Sequence, residues 1–181
     1  GDDAAALARA VEKTRVRAVY VTPHCHDPTT VTLSARRRLA LLELARRHRI
    51  AVLEADYDHE FQFEGAPVLP MASGDRHGVV VSVGTLSKAV APGLRMGFVA
   101  APRPLLETLV AVRGQVDRQG DLGLENAVAE LLEDGELQRH ALRARRVFLE
   151  RRDLLVHLLR KHLGDRLEFD DWQTAIHEFG F

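Results

Sequence analysis

A lysine surrounded by hydroxyl and guanidinium groups is the part of the sequence best equipped for chemistry. Lys88 follows an apolar run, residues 79–83, with Thr85 and Ser87 just before it and Arg95 seven positions later. A lysine near apolar walls can lose its proton and attack an aldehyde, and two hydroxyls with a planar cation suit a phosphate monoester. The combination predicts a lysine that forms a Schiff base with pyridoxal phosphate (PLP). The alternative is a solvated loop lysine, as most lysines are.

The composition excludes several other classes of function. The 181 residues are 46% hydrophobic and 28% charged, which is ordinary for a globular protein. The net charge of −1 provides no field that would attract nucleic acid or an anionic membrane. No apolar run approaches the ~18–20 residues of a membrane span. The single cysteine, Cys25, cannot form an internal disulfide and fits a reducing compartment, so we expect a cytoplasmic location.

Apolar strand patterns alternate with helical patterns along the chain, which predicts an α/β fold with a mostly parallel sheet. Strands are expected at residues 18–22, 50–54, 79–83 and 96–100, and helices at the start of the chain, after Ser34, and over residues 102–118, 122–133 and 135–163. The connection between the last two strands is too short for a helical crossover. We therefore expect the fourth strand to run antiparallel to the third.

Four segments resemble, in order, the aminotransferase-like domain of MocR-type regulators. They are PHCHDPTT (residues 23–30), EADYDHEF (54–61), GTLSK (84–88) and PGLRMG (92–97). MocR-type regulators belong to the GntR superfamily, in which a winged helix-turn-helix domain is fused to a fold-type I PLP-dependent aminotransferase domain. The resemblance implies a three-layer α/β/α fold, with a partial PLP-binding large domain over residues 1–134 and a long helix and the beginning of a small domain over residues 135–181.

The resemblance also implies a role for each residue of the PLP site. Lys88 would form the Schiff base, and Thr85, Ser87 and Arg95 would hold the cofactor phosphate. Tyr57 would donate a hydrogen bond to the phenolic oxygen of the PLP ring. Because the chain begins at Gly1 rather than at methionine, we expect that it is an internal part of a longer protein and that further pocket residues lie outside it.

Two acidic positions depart from the family pattern. Ala55 stands where the family has the aspartate that pairs with the ring nitrogen, and losing that charge-assisted hydrogen bond would cost about 1.5–3 kcal/mol. If Tyr57 faces the ring, strand alternation makes Ala55 face it too, so that Asp56 could replace the missing carboxylate only through a bulge or local twist. Asp27 places a second carboxylate near the phenolic oxygen of PLP, where like charges repel.

Histidines beside Asp27 allow a second chemistry to be considered. His24, Cys25, His26 and Asp27 are metal-ligand types in a row. Side chains that alternate along an extended loop rarely converge without a further ligand group at zinc spacing. We therefore predict an ordinary loop and no metal site.

These observations favour an effector-sensing and dimerising module of a transcriptional regulator, which binds PLP and an amine or amino acid with little or no turnover. DNA binding would need a winged-helix domain that the chain does not contain, and no membrane partner is expected. One alternative is a PLP-dependent aminotransferase in which Lys88 also moves protons. The other is a non-catalytic truncated remnant, favoured by Ala55 and by the pocket residues expected outside the chain.

Overall fold

The computed structural model describes residues 4–26, 31–56, 61, 63, 69–118 and 120–164. Its elements in chain order are α1 (Ala4–Lys13), β1 (Ala18–Val21), α2 (Ala35–His48), β2 (Ala51–Ala55), α3 (Met71–Gly74), β3 (Val80–Thr85), a short 3₁₀ helix (Pro92–Leu94), β4 (Gly97–Ala100), α4 (Arg103–Val116), α5 (Leu122–Glu133) and α6 (Glu136–Leu163). They divide into two compact units. The first contains the four strands and α1–α4, and the second contains the segment after β3, the 3₁₀ helix, α5 and α6.

The four strands form one sheet in the order β1-β2-β3-β4. The first three strands are parallel, with Ala18 opposite Ala51 and Val52 opposite Val80. Strand β4 is antiparallel to β3, and Gly84 lies opposite Phe98. The predicted α/β class, the mostly parallel sheet and the reversed fourth strand are therefore confirmed.

One face of the sheet is covered by α1, α2 and α3, and this is where the core lies. Its centre consists of the buried residues Leu41, Ala45, Ile50, Val52, Met71 and Val80, with partly buried residues of α1 packed around them. Helix α2 begins after Ser34 as predicted, although the Ser34 side chain makes no capping hydrogen bond. On the opposite face, Tyr20, Leu53 and Val83 remain exposed.

The second unit is built around the pair α5 and α6. Helix α6 is 28 residues long, as the sequence pattern from residue 135 predicted. Phe61 is fully buried and packs edge-on against Phe148 of α6, with ring centroids 5.1 Å apart and planes at 83°. The guanidinium of Arg152 lies 5.2 Å from the centre of the Phe63 ring. Among the described helices, α6 included, none has an apolar stretch long enough to cross a membrane.

Candidate cofactor site

The carboxyl ends of the three parallel strands lie at one edge of the sheet, which is where α/β proteins bind ligands. Asp56 directly follows β2, and its backbone N–H donates to the carbonyl of Val83 at 2.9 Å. Thr85 is the last residue of β3, and His24 follows the end of β1 by three residues. The topology thus brings two predicted site residues, Asp56 and Thr85, to this edge, and with them His24, which the sequence suggested only as a metal ligand.

Asp56 and His24 form a buried pair. The Nδ1 atom of His24 lies 3.2 Å from Oδ2 of Asp56. The His24 side chain is 2% exposed and that of Asp56 is 4% exposed. The ordinary-loop interpretation of residues 23–30 missed this contact, because the two residues are far apart in the sequence. Within the described ranges, no three metal-ligating side chains lie close enough together to hold a metal ion. The contact that the structure gives His24 is with the carboxylate of Asp56.

Asp56 reaches His24 without a bulge in β2. The register is regular from Val52 opposite Val80 to Ala55 opposite Val83. Glu54 and Asp56 therefore lie on the same face of the strand, and both are buried. The bulge or twist considered for Asp56 is absent from residues 51–56. Tyr57 and Asp27, the other predicted residues of this edge, lie outside the described residues.

A buried arginine, Arg38, binds three backbone carbonyls next to this edge of the sheet. Arg38 donates hydrogen bonds from Nε to the carbonyl of Leu33 (2.8 Å), from Nη1 to that of Leu69 (2.8 Å) and from Nη2 to that of Pro23 (2.9 Å). Burial lowers the pKa of Arg38, while the negative charges of Glu54 and Asp56 act in the opposite direction. Arg38 thus ties the loop after β1 to α2 and to the segment before α3.

Sequence reasoning missed Arg38, although a signal was present. Its neighbours Arg36 and Arg37 fit the outer, solvated face of α2. Arg38, however, precedes the buried Leu41 and Ala45 by three and seven positions, which places it on the apolar stripe. A charged residue on such a stripe indicates a buried cation with several acceptors.

Glu54 is the second buried carboxylate, and its contacts are structural. Its oxygens accept from the backbone N–H groups of Met71 (2.6 Å) and Ala72 (3.1 Å), at the start of α3. The side chain is fully buried. Glu54 therefore fixes α3 against β2, whereas Asp56 faces a side chain from a loop.

The lysine lies in a turn that begins where β3 ends. Ser87 and Lys88 are half-buried, while Leu86 and Ala89 on either side are buried. The N–H of Val90 donates to the carbonyl of Leu86 at 2.9 Å and closes the turn. Lys88 is thus flanked in the chain by buried apolar residues, and its role as the Schiff-base lysine stays a prediction.

Arg95 ends the 3₁₀ helix that follows this turn. It adopts a left-handed conformation, with φ 49°, and its N–H donates to the carbonyl of Pro92 at 3.4 Å. The side chain is exposed. Ser87, Lys88 and Arg95 thus belong to the second unit, whereas Asp56 and Thr85 belong to the first.

Two contacts hold the start of β4 against the end of β3. The hydroxyl of Thr85 donates to the carbonyl of Met96 at 3.3 Å. One residue earlier, a Cβ added at Gly84 would lie 2.2 Å from Cζ of Phe98, so the phenyl ring occupies the space that any other side chain would need. Gly84 in the lysine motif therefore has a packing role that the sequence did not reveal.

Comparison with known proteins decides the family. The model of the family "Aminotransferase class I and II" matches residues 2–180. The chain belongs to this family. It is 36% identical over 155 residues to a probable rhizopine catabolism regulatory protein, MocR, of Rhizobium meliloti, which agrees with the predicted resemblance to MocR-type regulators. That match covers 86% of the chain and 31% of the relative, so the chain spans about a third of this relative's length.

Solved aminotransferases share the fold of the chain. A multiple substrate aminotransferase from Thermococcus profundus superimposes with a TM-score of 0.83 at 27% identity, over 96% of this chain and 44% of that one. LysN, an α-aminoadipate aminotransferase from Thermus thermophilus, gives 0.81 at 26% identity, over 96% and 46%. The LysN structure contains N-(5'-phosphopyridoxyl)-L-leucine. The predicted fold of a class I and II aminotransferase is thus confirmed for this chain.

Proposed function

We propose that the chain is the PLP-binding, aminotransferase-like part of a MocR-type transcriptional regulator, and that it senses an amine or amino acid with little or no turnover. The observation that carries the proposal is the half-buried Lys88 in the turn directly after Thr85, at the carboxyl end of a parallel strand. The similarity to MocR and the phosphopyridoxyl ligand in LysN support it. We further propose a cytoplasmic homodimer that contacts DNA only through a domain outside this chain.

The proposal assigns each group that PLP needs to a residue of the chain. Lys88 would hold the cofactor through Nζ, and the hydroxyls of Thr85 and Ser87 with the cation of Arg95 would bind its phosphate. Asp56 remains a proposed contact to the ring nitrogen, which it would reach only if the chain turns beyond β2, because the regular register of β2 places Asp56 on the face opposite to Ala55. When bound, PLP supplies an electron sink that stabilises negative charge on the substrate's α-carbon. Tyr57 and Asp27 remain proposed contacts to its phenolic side.

The proposed ligand class follows from the chemistry of Lys88. Lys88 would hold PLP through Nζ, and a primary amine or amino acid carries the same kind of amino group, so it would compete with Nζ for the cofactor. A lysine released in this way would be the change that the rest of a regulator senses. Ala55 favours sensing over turnover, because the carboxylate of the family pattern is absent at that position.

An aminotransferase is the second candidate. The half-buried Lys88 and the likeness to solved aminotransferases favour it, since the same lysine would be the base that moves a proton at the substrate α-carbon. The two candidates differ in turnover alone. An amine sensor changes the absorbance of bound PLP on mixing with an amino acid but forms no keto acid, whereas an aminotransferase forms it catalytically.

The first experiment identifies the lysine that binds PLP. The chain contains three lysines, Lys13, Lys88 and Lys161. Incubation with PLP, reduction with borohydride and peptide mapping should place the label on Lys88, and Lys88→Ala should abolish the absorbance of bound cofactor. Lys161→Ala, at the exposed end of α6, is the matched control and should bind like the wild type. Equal labelling of all three lysines would refute a specific site.

The second experiment tests the role of position 55. Ala55→Asp should raise the PLP affinity and any transaminase activity, because it restores a carboxylate where the family has one. An unchanged affinity would mean that Asp56 already fills that role.

Sedimentation velocity of the same samples tests the dimer, since a single monomeric species at micromolar concentration would exclude it for this chain.

A further inference from the structure

We infer that a cavity beside α2 is a second ligand site, which takes a small molecule with an apolar body and one carboxylate. The cavity has a volume of about 700 Å³ and lies in the first unit, between α1, α2 and the face of β1 that they cover. Sites for small molecules commonly enclose roughly 300–1,000 Å³. The described residues assigned to PLP do not line this cavity; they are Asp56, Thr85, Ser87, Lys88 and Arg95. The inference therefore goes beyond the proposed function.

The floor of the cavity is an apolar layer that the chain leaves partly open. Along β2 and β3 the same layer is closed to water, since Val52 is 0% exposed and Val80 is 3% exposed. Val19 lies opposite Val52 in the register, yet it is only half-buried. The larger apolar side chains that line the cavity are Leu7, Val19, Val21, Leu33, Leu41 and Leu44. An apolar body placed on them would remove their surface from water, which is favourable.

The rim of the cavity on α2 carries a surplus of positive charge. Arg46 binds Glu43 through two hydrogen bonds, from Nε to Oε2 at 2.9 Å and from Nη2 to Oε1 at 2.8 Å. Arg47 binds the same carboxylate through Nε, 2.7 Å from Oε1. Among the described residues, no acceptor contacts the two Nη atoms of Arg47. Together with Arg37 and Glu12, which also line the cavity, three arginines and two carboxylates leave one positive charge for a ligand anion.

The order of residues along α2 selects the shape of the ligand. Ala40, Leu44 and Arg47 follow one another at i, i+4 and i+7, so they lie on one face of the helix, and all three line the cavity. A body lying against Ala40 and Leu44 therefore brings its terminal group to the Arg47 guanidinium. The guanidinium offers N–H groups in the planar fork that a carboxylate accepts. An apolar monocarboxylate fits both parts of the site, whereas an amine or an alcohol fits only the floor.

The cavity shares a wall with the loop after β1, which gives its ligand a route to the cofactor. Pro23, His26, Val31 and Leu33 line it. The N–H of Leu33 donates to the carbonyl of Pro23 at 2.8 Å, and the N–H of His26 donates to that of Val31 at 3.2 Å. The residues between His26 and Val31 include Asp27, a proposed PLP contact. A ligand in the cavity would therefore change the PLP affinity, and PLP would change the ligand affinity by the same factor. This consequence, unlike the site itself, rests on the proposed function.

Octanoate is the probe, titrated into the chain without PLP and followed by calorimetry. It should bind saturably. Octanol, which lacks the charge, and octylammonium, which reverses it, should bind about tenfold more weakly or worse, because a charge-assisted hydrogen bond is lost. Arg47→Gln should weaken octanoate binding by about tenfold and leave octanol binding unchanged. Arg36→Gln, at an exposed position of α2 outside the cavity, is the matched control.

A second pair of variants tests the cavity rather than the charge. Ala40→Trp should fill the cavity and abolish octanoate binding. Leu39→Trp, at the neighbouring position outside the cavity, should bind like the wild type. Both positions are exposed, so both variants should fold, which circular dichroism checks. Equal affinity for octylammonium, or unchanged binding by Ala40→Trp, would overturn the inference. An octanoate affinity that falls as the chain concentration rises would also overturn it, since a second copy would then occupy the cavity.

PLP titrations separate this site from the proposed function. Octanoate at saturation should change the PLP affinity of the chain by about fivefold or more. An equal PLP affinity with and without octanoate would overturn the link to the cofactor. Failure of Lys88 to take up PLP would overturn the proposed function and leave the octanoate site standing.

Discussion

Replacing Gly84 by alanine tests whether this motif glycine is required for packing or for the cofactor. Gly84 lies opposite Phe98 in the β3–β4 ladder, and its φ is not in the left-handed region. A Cβ at this position would meet three ring atoms of Phe98, at 2.2, 2.7 and 2.8 Å. Carbon atoms in contact lie about 3.5–4.0 Å apart. The ring must therefore retreat by roughly an ångström or more.

The cost of that movement can be bounded from the structure. Phe98 is 47% exposed, so the ring can swing toward solvent instead of forcing the backbone apart. Forced overpacking of a core costs about 1–3 kcal/mol, and alanine recovers roughly 0.5–1 kcal/mol of backbone entropy relative to glycine. We therefore expect Gly84→Ala to lower the free energy of unfolding by about 1–2 kcal/mol.

A double-mutant cycle in urea provides the test. If the clash with Phe98 is the cause, Gly84→Ala should cost little or nothing in a Phe98→Ala background, which gives a coupling energy of about 1 kcal/mol or more. Gly93→Ala is the control, because a Cβ there has no atom within 4 Å. Equal destabilisation in both backgrounds would refute the packing argument. Loss of PLP binding in the double variant, with stability restored, would instead show a cofactor role for Gly84.

Three further outcomes follow from the buried and charged groups. Arg38→Met should lower the free energy of unfolding, measured in urea, by about 3–5 kcal/mol, because the carbonyls of Leu33 and Leu69 lose the Arg38 donor and that of Pro23 is left with the N–H of Leu33; Arg36→Met, at an exposed position of the same helix, should change it by less than about 0.5 kcal/mol. Glu54→Gln should cost about 2–3 kcal/mol, since an amide offers one acceptor to the two N–H groups at the start of α3. Hydrogen bonds from Arg46 and Arg47 lower the pKa of Glu43 to about 2, so this carboxylate stabilises the fold above pH 4.5 and loses that effect as the pH falls toward 2. Arg46→Ala should raise the pKa in an NMR titration, and an unchanged value would contradict these contacts.

Local patterns predicted the strands and the long helix well, because both depend on short-range periodicity. The expected strands at 50–54 and 79–83 are observed as Ala51–Ala55 and Val80–Thr85. The antiparallel β4 followed from the length of its connection alone. In contrast, α3 lies in a stretch rich in glycine and proline, and its first N–H groups are held by Glu54, 17 positions earlier. The pattern of neighbouring residues cannot reveal a hydrogen bond between residues so far apart in the sequence.

The candidate site was predicted in part for the same reason. Lys88, Thr85 and Ser87 are consecutive or nearly so, and therefore visible as a motif. Asp56 was recognised from its place after β2, but its partner His24 comes from another loop, which only the pairing of β1 with β2 brings near. Alternation along β2 correctly placed Asp56 on the face opposite to Ala55, and the structure adds what lies on that face.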